Sequence, residues 1–239
     1  MAPKKIVKGK GGAPKTGASS KGNSAPAPDV NPSGQKFAQT GKWSDDKIEK
    51  MLSREVAGKM RVNDALSELM HPFTALLLLD ASDYSEMRNL VVEKFQSGHS
   101  IIYIGLNAGY GAVAKEFERR GSSFSEVFFV DMVSIESGAK TQDSENVVYL
   151  SSPLDLTECV IAVEKRLALA GDSKAVVMVD SVSTLLIYNA PLAVEKFIHA
   201  LLGKVNAYNG SAIVFSSGTG EKDSVTGTIG QFFDKIIRI

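Results

Sequence analysis

Six polar positions follow apolar runs: Asp80, Leu106-Asn107, Asp131, Ser151-Ser152, Asp180-Ser181 and Ser216-Ser217. A strand that ends in a turn and feeds a helix is where many α/β proteins hold a phosphate. The first such junction reads "LLLLDASDYSEMRNL", Leu76 to Leu90. A phosphate loop needs G-x-x-x-x-G-K-[ST]: glycines curl backbone N–H groups around the phosphates, the lysine neutralises them, and the hydroxyl holds Mg²⁺. From Asp80 to Val91 there is no glycine and no lysine, and Asp80 and Asp83 carry the wrong charge. Two like charges 4 Å apart repel by roughly 4 kcal/mol at an effective dielectric of 20. Asp83, with Ser85 and Glu86 behind it, suits the cap of a helix opening there.

Other sites for the chemistry are weaker. Gly9-Lys10, Gly41-Lys42, Gly58-Lys59 and Gly203-Lys204 all lack a following Ser or Thr, and "SGAKT" at 137–141 has an alanine between glycine and lysine. "GLNAGYGA" is not G-x-G-x-x-G and reads as a permissive start to a helix. His71, His99 and His199 are far apart, without metal-ligand spacing, so no metal site is expected. Cys159, the single cysteine, sits among apolar neighbours and reads as a buried thiol in a reducing, cytoplasmic setting. Glu116 and Glu118 read as a solvated helix face, and "SSGTGEKDSVTGT" (216–228) as a polar, mobile loop.

The elements that position these residues alternate after Pro72. Strands are expected at 74–79, 100–106, 126–131, 146–150, 174–180, 211–217 and 234–239, with helices near 83–97, 109–121, 153–170 and 191–208. In the third helix Ser152 is the expected cap, with Pro153 at the first helical position. Near-continuous Val/Ile/Leu/Phe strands indicate a sheet covered on both faces, and long helical crossovers make it mostly parallel. The expected fold is a three-layer α/β/α sandwich occupying residues 73–239. Upstream, 43–72 is a helical extension with Ser44 as cap, split into two helices at Gly58 or at "RVND".

Residues 1–42 differ in kind. Eight lysines stand against Asp29, a net +7, which leaves −7 on the rest of a chain with zero formal charge. Rich in Lys, Gly, Pro and Ser, with Phe37 as its one aromatic residue, this tail is expected to be disordered. It offers either solubility or a charge-driven, salt-sensitive hold on nucleic acid. No apolar run reaches the roughly 20 residues of a membrane span.

The stretch "KAVVMVDSVSTLLIYN", Lys174 to Asn189, resembles the Walker B region of the KaiC-like branch of RecA-type ATPases. "SSFSEVFFVDMVS", "ENVVYLSSPLDLTECVIAVEKRL", "LAVEKFIHALLGKVNAYNGSAIVFSSG" and "IGQFFDKIIRI" extend the resemblance in order, from Thr74 to Ile239. Together they look like an archaeal-type KaiC-related group that has the fold without the Walker A loop. The resemblance implies that Asp180, followed by Ser181, stands where active relatives help to hold Mg²⁺, and that Asp80 and Asp83 occupy the degenerate Walker A position. Asn107 then falls near the catalytic glutamate; an asparagine orients water but accepts no proton, so no general base is available.

Three functions follow from this. The first is a catalytically inactive, pseudo-ATPase domain with a regulatory or protein-interaction role, without cofactor, self-associating or paired with a protein partner. The second is an ATP-binding protein with non-standard phosphate contacts and Mg²⁺ at Asp180. The third is a nucleic-acid-associated protein acting through residues 1–42.

Overall fold

The computed structural model describes residues 45–239 apart from 172 and 219–223. Expectations for the lysine tail and for Ser44 lie outside the described residues. The chain forms α1 (Asp45–Leu66), β1 (Thr74–Leu79), α2 (Tyr84–Gln96), β2 (Ser100–Gly105), α3 (Tyr110–Arg119), β3 (Phe128–Asp131) and β4 (Val147–Tyr149). It continues with α4 (Leu156–Ala170), β5 (Ala175–Asp180), α5 (Val182–Tyr188), α6 (Pro191–Ala207), β6 (Ser211–Ser217), α7 (Ser224–Gly230) and β7 (Lys235–Arg238).

The seven strands make one sheet in the order β4-β3-β2-β5-β6-β1-β7, and every neighbouring pair is parallel. Because strand side chains alternate, the continuous apolar runs feed two cores at once. Leu76, Leu78, Ile102, Ile104, Val177 and Val179 pack under α4, α5 and α6. Their neighbours Ala75, Leu77, Ile101, Tyr103, Val176 and Met178 pack under α1, α2 and α3. The architecture is the expected three-layer α/β/α sandwich.

Four local expectations change. First, α1 is one continuous helix: Gly58 faces α2, where an added Cβ would lie 2.9 Å from Leu90 Cδ1 and Met87 Cε, so its missing side chain serves packing, not a break. Second, Ser152 closes a turn rather than capping α4. The Ser152 N–H donates to Asp155 Oδ2, the Leu154 N–H donates to Ser152 Oγ, and the helix begins at Leu156. Third, "SVSTLLIY" contains α5, capped by Ser181, whose Oγ accepts from the Thr184 N–H. Fourth, part of the expected 216–228 loop is the helix α7.

Candidate functional site

In an open parallel sheet, the crevice for a ligand lies where successive connections leave in opposite directions. Here that point falls between β2, whose chain proceeds to β3 on one side, and β5, whose chain proceeds to β6 on the other. Gly105 pairs with Asp180 across it, and the Leu106 and Asn107 N–H groups both donate to the Asp180 carbonyl. The Asp180–Ser181 peptide bond is cis.

Asp180 is completely buried, on the sheet face that meets α2. Tyr84 and Arg88 stand one turn apart on α2, so both reach it. Its Oδ1 accepts from Tyr84 Oη at 2.5 Å and Asn107 Nδ2 at 2.6 Å. Its Oδ2 accepts from Arg88 Nη1 at 3.1 Å and from the Tyr103 hydroxyl. A carboxylate has about four lone-pair positions, and this one receives four donors from its own chain.

The network runs on from Arg88. Its Nη2 donates to Glu116 Oε2 and Asn89 Oδ1, both at 2.7 Å, and Asn89 Nδ2 donates to Glu116 Oε1 at 2.7 Å. One guanidinium thus bridges two carboxylates, and the expected solvated face at Glu116 is an ion pair with a buried arginine. On the open side the Thr184 hydroxyl donates to Asn107 Oδ1. Burial, and then the Asp180 charge, hold the Tyr84 and Tyr103 hydroxyls well above the ordinary tyrosine pKa. Burial opposes the charge on Arg88, but the Asp180 and Glu116 carboxylates beside it outweigh that and raise its pKa.

The other strand-end groups are occupied in the same way. Asp131 Oδ2 accepts from the Tyr110 N–H and Ser134 Oγ, both at 2.7 Å, while Oδ1 accepts from the N–H groups of Val133 and Ser134. Ser183 Oγ lies 3.1 Å from Ser216 Oγ and accepts from the Ser217 N–H, which fastens α5 to β6.

After β1, Asp80 is exposed and a three-residue turn leads directly into α2, too short to curl around a phosphate. Asp83 does occupy the N-cap position, yet it makes no side-chain cap bond. Its Oδ2 instead accepts from Arg61 Nη2 of α1 at 3.0 Å. The structure therefore brings Asn107, Asp180 and Ser181 together and leaves Asp80 and Asp83 outside that cluster. The carboxylate that would face a cation there already accepts from Tyr84, Arg88, Tyr103 and Asn107.

Sequence reasoning missed Tyr84, Arg88, Asn89, Tyr103 and Glu116. Two signals were present: polar residues four apart in α2, and a tyrosine inside the apolar strand "SIIYIG". The histidines form no metal cluster, and among the described residues no group of three or more potential ligands exists. His71 Nδ1 lies 2.7 Å from Ser211 Oγ, and His199 is exposed with its ring edge-on to Phe232. Cys159 is buried, which pushes its thiol pKa up. Among the described residues no helix is long and apolar enough to cross a membrane.

Residues 98–239, more than half of the chain, match DUF7504, described as a family of unknown function. The chain belongs to this family. No curated protein matches its sequence. Among solved structures it is similar to an uncharacterised Pyrococcus horikoshii protein, PH0321, crystallised in complex with an unknown peptide. The TM-score is 0.59 at 15% identity, covering 75% of this chain and 82% of that one. At that identity the likeness is one of fold. In this DUF7504 member the family match covers β2 to β7, whereas Tyr84, Arg88 and Asn89 lie before it.

Proposed function

We propose that this DUF7504 protein is a degenerate member of the KaiC-like branch of RecA-type proteins, which hydrolyses no nucleotide and acts through protein interaction. The observation that carries the reading is the saturation of Asp180 by four internal donors at the topological switch point. Arg88 supplies within the fold the positive charge that a Mg²⁺ ion would bring. The short turn after β1 and the exposed Asp80 support the same reading. So does the peptide bound to the Pyrococcus protein of similar fold, which makes a protein or peptide partner the natural class to test here. Self-association and nucleic-acid binding through residues 1–42 remain separate proposals, the latter resting on the lysine content alone.

Isothermal titration with Mg-ATP and Mg-GTP tests the proposal. Flat titrations are expected for the full chain. Saturable micromolar binding that disappears in Asp180→Asn would overturn it in favour of a nucleotide-binding protein.

A further inference from the structure

At the edge of the sheet an apolar groove of about 340 Å³ opens between α4 and the β3–β4 margin. Phe128, Val148, Leu150 and Ala162 form its floor and Ile161 and Leu169 its rim. Ile161 is 45% and Leu169 77% exposed, and among the described residues β4 is the outermost strand of the sheet. Apolar side chains gathered around a groove and left in water mark a contact surface.

Arg166 gives the groove its chemistry. Its guanidinium lies 5.1 Å above the Phe128 ring, and its Nε is buried with no hydrogen-bond partner. Arg54, Arg61, Arg88 and Arg120 all pair with carboxylates. Among the described residues Arg166 pairs with none. Glu145 and Glu158 also line the groove, but both are exposed and neither lies in ion-pair reach of Arg166. A buried donor without an acceptor costs stability unless something supplies one, and an arginine placed over an aromatic ring keeps donors to offer a carboxylate.

We infer that this groove binds a peptide segment of a protein partner, with apolar side chains against Phe128, Val148 and Leu150 and an Asp or Glu carboxylate on Arg166. Charge complementarity selects the acidic residue. The open form of the groove selects a chain segment over an enclosed small molecule, which a pocket normally surrounds on most sides. Ile161 and Leu169 lie eight residues apart on α4, about 12 Å at 1.5 Å per residue. That span suits about four extended residues of the partner. The inference rests on the protein-interaction reading and names the surface that reading needs.

The test is selection of a displayed random peptide library, about 12 residues long to exceed that span, on the full chain. Enriched peptides are titrated as fluorescein conjugates. The expected result is enrichment of sequences combining Leu, Ile or Phe with Asp or Glu. Their affinity should fall at least about tenfold, the loss of one charge-assisted contact, in Arg166→Met, which keeps an apolar side chain against Phe128. Ile161→Asp should abolish binding, and Leu192→Asp, an exposed apolar site on α6, should leave it unchanged. Circular dichroism confirms that each variant is folded. No enrichment, enrichment without acidic residues, or affinity indifferent to Arg166→Met overturns the inference. So does sedimentation showing self-association lost in Ile161→Asp, or binding of myristate in place of any peptide. Peptide binding elsewhere on the chain sinks this groove and spares the proposed function, whereas nucleotide binding sinks that function by itself.

Discussion

Arg88 Nη1 lies 3.1 Å from Asp180 Oδ2, with side chains only 3% and 1% exposed. Two charges that deep are tolerated because each is satisfied several times over: Arg88 by Asp180, Glu116 and Asn89, and Asp180 by Tyr84, Arg88, Tyr103 and Asn107. The pair joins α2 to the carboxyl end of β5, across the crevice that a ligand of such a sheet would enter. A polar network of this kind is costly when incomplete and rigid when complete.

Removing the cation should show this. Arg88→Met leaves Asp180 and Glu116 without their shared charge, and breaking a buried pair from one side costs about 3–5 kcal/mol. The expected outcome is a lower urea midpoint at an unchanged slope. Arg88→Met combined with Asp180→Asn should recover part of the loss, because the orphaned charge is gone. A double variant no more stable than Arg88→Met would show that packing around Arg88, not charge, accounts for the cost.

Alkaline stability follows from the two buried tyrosines. Their folded pKa values lie well above the unfolded value. The unfolded chain therefore releases these protons first as pH rises. Stability from the Tyr84 and Tyr103 hydroxyls is complete below about pH 10, the unfolded tyrosine value, and is lost as pH climbs through it toward the folded values. Urea midpoints taken at about pH 8 and about pH 10.5 should fall, and Tyr84→Phe should fall less steeply. At neutral pH the same variant should cost about 1–3 kcal/mol, because Asp180 loses a donor. Equal slopes for both proteins would remove Tyr84 from the explanation.

The strands were legible because their signal is local: a run such as "TALLLL" or "AVVMVD" is buried on both faces whatever its neighbours are. Asp180, Asn107 and Ser181 were legible as a cluster because the carboxyl ends of adjacent parallel strands converge. What occupies Asp180 was not. Tyr84, Arg88 and Tyr103 lie 77 to 96 residues away from it, and the local signals in α2 and β2 do not say which distant group those side chains meet. Glu116 looked like a surface residue for the same reason, since only the tertiary contact with Arg88 withdraws it from water. Short α5 escaped notice because seven residues carry too little periodicity.

Gly105 should tolerate no side chain. It pairs with Asp180 in the sheet, and an added Cβ would stand 2.3 Å from Phe129 Cζ and 2.9 Å from the Ala108 carbonyl oxygen. Phe129 is itself buried against Tyr103, with ring centroids 5.2 Å apart, so the ring has nowhere to move. Gly105→Ala should cost about 1–3 kcal/mol, the usual range for overpacking. It should also perturb near-ultraviolet circular dichroism from Tyr103. A variant as stable as the parent would mean that β2 and β3 shift apart freely.

Gly58 offers the contrasting case. Its Cβ position also lies close to neighbours, at 2.9 Å, but those atoms are Leu90 Cδ1 and Met87 Cε, the free ends of flexible side chains. Both can change rotamer, and alanine gains about 1 kcal/mol over glycine inside a helix. The repacking and the propensity therefore offset one another, and Gly58→Ala should change stability by less than about 1 kcal/mol. Gly58→Leu has no such room. It would push α1 off α2, straining the Arg61–Asp83 and Arg54–Glu86 pairs and exposing Val62 and Leu66 from the core. Limited proteolysis should then cleave α1 in the leucine variant and spare it in the alanine variant. Equal resistance in both would show that α1 is not seated through Gly58.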